Sequence, residues 1–112
     1  MAKEVTTENF EGVLKEKNIT VLDFWAPWCG PCKMLLPVID SLYEDNKDKN
    51  ITIGKVNVDM SGEIASKYGV RGVPTVMFFK DGVELKDKRV VGYRGKEEFQ
   101  KLINELLETT EN

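Results

Sequence analysis

Apolar residues recur along this chain with two different periods. ITVLDFWA (19–26) is β-branched and aromatic on both faces apart from one residue, as befits a central strand of a parallel sheet. ITIGKVNVD (51–59) reads as a second buried strand. PTVMFFKDGVEL (74–85) reads as a strand entering a hairpin, because Asp81-Gly82 suits the positive backbone angles of a tight turn. KRVVGY (88–93) is the expected return strand.

Helical spacing governs the intervening segments. VTTENFEGVLKEKN (5–18) offers threonines as N-caps ahead of Phe10, Val13 and Leu14. PCKMLLPVIDSLYEDN (31–46) places Met34, Leu35, Val38, Ile39 and Leu42 on one stripe, with Pro37 inside it as an expected kink. SGEIASKYG (61–69) is a short helix with Gly69 as its stop. KEEFQKLINELL (96–107) is the most regular amphipathic helix, carrying Phe99, Leu102, Ile103, Leu106 and Leu107.

The order α-β-α-β-α-β-β-α implies a βαβ crossover followed by an antiparallel hairpin closed by a helix. The expected fold class is α/β, a central mixed β-sheet flanked by helices on both faces. The 112 residues fit one domain, with 108–112 expected to be a frayed polar tail.

Composition narrows the function. With 41% hydrophobic and 31% charged residues the chain is of ordinary globular type. A net charge of -3 argues against a nucleic-acid binder. The longest apolar run is VMFF (76–79), far short of the roughly 20 residues of a membrane span. MAKEVTTENF shows no apolar leader, so a cytoplasmic location is expected.

The only cysteines, Cys29 and Cys32, flank a Gly-Pro pair in WCGPCK (28–33). Structural zinc wants four ligands, and one pair with no histidine in the chain supplies two. A structural disulfide closing so short a loop constrains the unfolded chain little. A reactive pair has more support. The pair opens a helix, whose free amides and positive dipole end lower a thiol pKa from about 8.5 toward 7. Pro31 fits the first helical turn, and the spacing brings the alpha carbons within roughly 5–6 Å, as a disulfide requires. On position, Cys29 at the tip is the exposed nucleophile and Cys32 the shielded resolving thiol.

Asp23 is the one charge inside ITVLDFWA, and burial there raises a carboxyl pKa. It serves either as a general base for the Cys32 proton or as half of a buried ion pair with Lys55 on the neighbouring strand. The two roles are compatible.

FWAPWCGPCK (24–33) closely resembles the active-site segment of the thioredoxin family, and DFWA, Pro37, KVNVD (55–59), YGVRGVPT (68–75), FFKDG (78–82) and Gly92 follow in family order. The similarity runs from about Val5 to Leu107. It implies the thioredoxin fold, Cys29 as attacking and Cys32 as resolving cysteine, Asp23 as proton acceptor and Lys55 as its partner. It also implies a cis Pro74 opposite the disulfide. Trp28, Gly30, Pro31, Val73, Pro74 and Gly92 would contact a partner's extended segment, with core packing the lesser alternative for Trp28 and Val73. VELKDKRVV (83–91) is about two residues longer than is usual for the family, and Tyr93 stands where a small residue is common.

The expected activity is that of a general protein disulfide reductase, an electron carrier in cell redox homeostasis. Its partners would be disulfide-containing proteins and, by the resemblance, a thioredoxin reductase, an NADPH-dependent FAD flavoprotein. A monomer is expected, and the chemistry needs no bound cofactor. Uncharged Gly30-Pro31 and the lack of histidine favour a reductant, with a potential of about -270 mV. Two rivals are an interaction module with incidental cysteines and a relay dedicated to one target.

Overall fold

The β-branched runs form the strands and the helically spaced stretches cover them. The computed structural model describes residues 1–111. Its elements are β1 (Lys3–Glu4), α1 (Phe10–Leu14), β2 (Ile19–Trp25), α2 (Gly30–Asn46), β3 (Ile51–Asn57), α3 (Gly62–Lys67), β4 (Thr75–Lys80), β5 (Val83–Glu84), a 3-10 turn (Lys86–Lys88), β6 (Val90–Val91) and α4 (Lys96–Glu111). The sheet runs β1-β3-β2-β4-β5, with β6 also paired to β4. β1 and β2 are parallel to β3, while β4 is antiparallel to β2. The mixed sheet read from the sequence is the observed one.

Alternation along the strands divides the core in two. Ile19, Val21, Ile53, Val76 and Phe78 meet Leu35, Ile39 and Leu42 of α2 and Phe99 and Ile103 of α4. Leu22, Phe24, Val56, Met77 and Phe79 meet α1 and α3 through Phe10, Val13, Leu14, Ile64 and Ala65. Each large side chain fully buried here contributes roughly 1.5–3 kcal/mol.

Several boundaries differ from the sequence reading, each for a physical reason. β1 is an additional strand of two exposed charged residues, held by backbone pairing that leaves no apolar signature. Its close approach depends on Gly54, where a Cβ would meet Val5 Cγ2 at 2.8 Å and the Lys3 carbonyl at 2.9 Å. The first helix shrinks to five residues, and its N-cap is Asn9 instead of a threonine. Thr6 and Asn9 bond reciprocally, side chain to amide, at 2.8 and 3.3 Å, and so hold the turn before it. Met34, expected on the apolar stripe of α2, is exposed.

The return strand is not continuous over 88–93. Within that stretch only Val90–Val91 is strand, as β6; β5 (Val83–Glu84) pairs with β4 before it, and the turn at Lys86–Lys88 separates the two. The hairpin turn has positive φ at both Asp81 (51°) and Gly82 (83°), as its sequence indicates. α4 continues past Leu107 to Glu111, and Asn112 lies outside the described residues.

Candidate active site

The central strand β2 delivers the chain to its own carboxyl end, and α2 begins five residues after it ends. Cys29 is the N-cap of α2 in an extended conformation, with φ of -97° and ψ of 114°. Its sulfur accepts the free amide of Cys32 at 3.2 Å, so an orphan donor of the first turn points at it. Gly30 and Pro31 form the exposed start of the helix. Cys29 and Cys32 are joined as a disulfide, with their alpha carbons 5.2 Å apart. Cys29 retains 6% of its surface and Cys32 none, so the first sulfur is less open than its helix-tip position suggests.

The opposite wall comes from a distant stretch of sequence. The Val73 carbonyl lies 3.6 Å from Cys29 Sγ. The Val73–Pro74 peptide is cis. Pro74 is buried, and its carbonyl accepts the Gly92 amide at 2.8 Å, bringing the start of the α4 connection beside the disulfide. Gly92 itself has φ of 98°, a conformation natural to glycine.

Trp28 is 70% exposed. Its indole Nε1 donates to Asp59 Oδ1 at 3.3 Å, and the Asp59 amide in turn donates to Asn57 Oδ1. Beside it runs a groove of about 310 Å³ lined by Trp28, Val58, Ala65, Val70, Arg71, Gly72 and Val73. The sequence reading assigned no part to Asp59, Val58 or Ala65. Their only signal is position, since they follow β3 and lie along α3, the two elements next to the disulfide loop.

Asp23 is fully buried. By the alternation of β2 it lies on the face of Val21, the face covered by α2, which carries Cys32. Neither carboxyl oxygen has a hydrogen-bond partner among the described residues. Burial pushes its pKa from 3.8 up to about 7, and the positive charge of Lys55 restrains the rise. Lys55 is the register neighbour of Asp23 across β2 and β3. The two form no ion pair, so Lys55 acts through its field alone.

Among the described residues no group of three or more His, Cys, Asp or Glu side chains could hold a metal ion. Among the described residues no helix is long and apolar enough to cross a membrane. What two facing sulfurs can do unaided is exchange with other sulfurs, taking up or releasing two electrons as they part or join. The fold and the cysteine pair define a thiol–disulfide oxidoreductase. Residues 1–105 match the thioredoxin family model, and the chain belongs to that family. It is 44% identical to the thioredoxin of Chlamydia caviae, over 94% of this chain and 98% of that protein. It is 41% identical to that of Bacillus subtilis, over 93% and 96%. The solved structure of Malassezia sympodialis thioredoxin superposes with a TM-score of 0.81 at 33% identity, covering 94% of this chain and 90% of that one. A mutant thioredoxin from Halobacterium salinarum gives 0.84 at 34% identity.

Proposed function

We propose that this protein is a general reductant of protein disulfides, with Cys29 as nucleophile and Cys32 as resolving thiol. In the dithiol form the Cys29 thiolate attacks one sulfur of a partner disulfide. A mixed disulfide forms, and the partner's other sulfur leaves as a thiolate and takes up a proton. Cys32 gives its proton to Asp23 and attacks Cys29 Sγ. The Cys29–Cys32 bond closes and the second partner sulfur departs, so two electrons have passed to the partner. Asp23, with a pKa of about 7, can both accept and return a proton near neutrality.

Trp28, Gly30, Pro31, Val73, Pro74 and Gly92 surround the pair and receive the partner's extended segment. The observation that carries this reading is a carboxyl without a partner, buried on the face of the sheet that α2 covers. A buried polar group left unpaired costs stability, so its presence on the strand that leads to the redox pair argues for chemistry. The spent disulfide is returned to the dithiol by a thioredoxin reductase, an NADPH-dependent flavoprotein, and the protein works as a monomer in the reducing cytoplasm.

The test is turnover with such a reductase and several unrelated disulfide proteins, alongside a redox titration. The reading expects reduction of all of them and a potential of about -270 mV. It falls if only one partner is reduced, if the potential lies near -120 to -180 mV, or if Cys29→Ser with Cys32→Ser leaves reduction intact.

A further inference from the structure

The additional length between Gly82 and Gly92 does not simply widen the hairpin. Glu84 faces Phe79 and Val90 faces Val76, so six steps on one side answer three on β4. The surplus forms the turn at Lys86–Lys88 and brings Arg89 back toward Glu84. The Arg89 guanidinium grips Glu84 with two bonds, Nε to Oε2 at 2.9 Å and Nη2 to Oε1 at 2.7 Å. The Glu84 side chain is 2% exposed and that of Arg89 is 23% exposed. Nη2 also donates to the Tyr68 carbonyl at 2.9 Å.

Tyr68 is the C-cap of α3. The last carbonyls of a helix lack intrahelical donors, and a guanidinium there satisfies one and opposes the negative helix end. On its inner side the Tyr68 ring packs edge-on against Phe10 and Phe79, each 5.6 Å away. Immediately beyond Tyr68, Val70, Gly72 and Val73 join Ala65 as one wall of the groove beside Trp28. Arg89 lines no part of that groove. From the turn that precedes β6 it holds the segment that leads into the wall.

We propose that Arg89, oriented by Glu84, is a positioning residue for partner recognition: it fixes the Val70–Val73 wall so that the groove is already formed when a partner segment arrives. The inference rests on reading that groove as the partner-docking surface. Preformed walls reduce the ordering cost of binding. Because the guanidinium makes its bonds only to Glu84 and Tyr68, the exchange chemistry of the sulfurs stays as it is without the clamp. Arg89 thus affects how tightly a partner docks and leaves the rate of the docked complex unchanged.

Two variants of the full chain test this. Arg89→Lys keeps a cation near Glu84 but loses the planar fork that reaches Tyr68. Glu84→Leu combined with Arg89→Met removes both charges, so no buried carboxylate is left unpaired. The reduced variants are oxidised in single turnovers by insulin and by a small aromatic disulfide that needs no groove. In both variants the half-saturating insulin concentration is expected to rise about fivefold, with the limiting rate and the small-disulfide rate within about twofold of wild type. Amide exchange at Val70, whose N–H bonds to the Ala65 carbonyl at 2.9 Å, is expected to accelerate.

Unchanged half-saturation overturns the proposal, as does an equal loss on both disulfides. Trp28→Ala separates the two readings. If it raises the insulin half-saturation while the Arg89 variants do not, only the clamp is wrong. If it has no effect, the docking surface lies elsewhere and the clamp proposal falls with it.

Discussion

Asp23 in the middle of β2 and Glu84 at the outer edge on β5 are both carboxylates buried in the same sheet, at 0% and 8% exposure. Glu84 is met by a forked guanidinium that satisfies both its oxygens. Asp23 has a lysine as its register neighbour and no bond to it. A paired buried carboxylate is fixed and structural, whereas an unpaired one is held near the point of changing its proton. The difference lies in the cation more than in the depth: Arg89 is folded back onto its partner by a purpose-built turn, while Lys55 is half-buried on a strand and acts only through its field.

The largest test of the contrast is pH. A carboxyl with a folded pKa of about 7 and an ordinary value of 3.8 binds more protons folded than unfolded. The contribution of Asp23 to the stability of the oxidised protein, read as the difference between wild type and Asp23→Asn, should therefore be most favourable below about pH 4, fall as pH rises to about 7, and level off beyond, by roughly 4 kcal/mol. Urea unfolding of both proteins across that range measures the fall. A wild-type profile parallel to that of the variant would show that Asp23 is not destabilised by burial.

Next in size is catalytic. Asp23→Asn should slow release of the reduced partner from the mixed disulfide by about a hundredfold near pH 7, which quenched-flow analysis of the intermediate would resolve. Formation of the mixed disulfide by Cys29 should change far less.

At the other carboxylate the sign reverses. Arg89→Ala leaves Glu84 buried without its cation and should cost about 2 kcal/mol of unfolding free energy, a figure reduced because Arg89 is itself partly exposed. At pH 8 the same measurement should find Asp23→Asn more stable than wild type. If both substitutions destabilise, the two carboxylates are not treated differently. The smallest effect belongs to Lys55→Met. Removing its field should carry the Asp23 pKa further up, changing stability at neutral pH by less than about 1 kcal/mol, with the carboxyl titration followed by NMR. A downward move would contradict the assigned role of Lys55.

Long strands and helices were legible in the chain because their periodicity spans many residues. ITVLDFWA, TVMFFK and the Phe99–Leu107 stripe each carry several consistent positions, and each forms the element it indicates. Elements held by backbone bonds alone left no such trace. Lys3–Glu4 is charged and exposed, so nothing in its side chains announces a strand.

The site divides in the same way. WCGPCK and the lone Asp23 can be read from residue chemistry, and the structure places them at the start of α2 and beneath it. The cis geometry at Val73–Pro74 came only through family resemblance, because an X-Pro sequence is ordinarily trans. The Glu84–Arg89 clamp was not readable. The extra length of 83–91 pointed to a longer hairpin or a bulge, but nothing in KRVVGY said that the surplus would turn Arg89 back onto Glu84. Asp59 closes the KVNVD segment of the resemblance, yet nothing in the sequence tied it to the Trp28 indole, 31 residues earlier.

The split return strand has a consequence for how these molecules meet one another. A sheet edge is a row of free amides and carbonyls, and a long flat one can recruit a strand from a neighbour. Here the long strands β2, β3 and β4 are bordered by two-residue pieces, β1 on one side and β5 and β6 on the other. One border carries Lys3 and Glu4, and the other is interrupted by a turn containing Lys86, Asp87 and Lys88. Neither offers the length of uncharged backbone that fibril growth requires. The same turn that folds Arg89 inward thus also protects a very apolar sheet from self-association at high concentration.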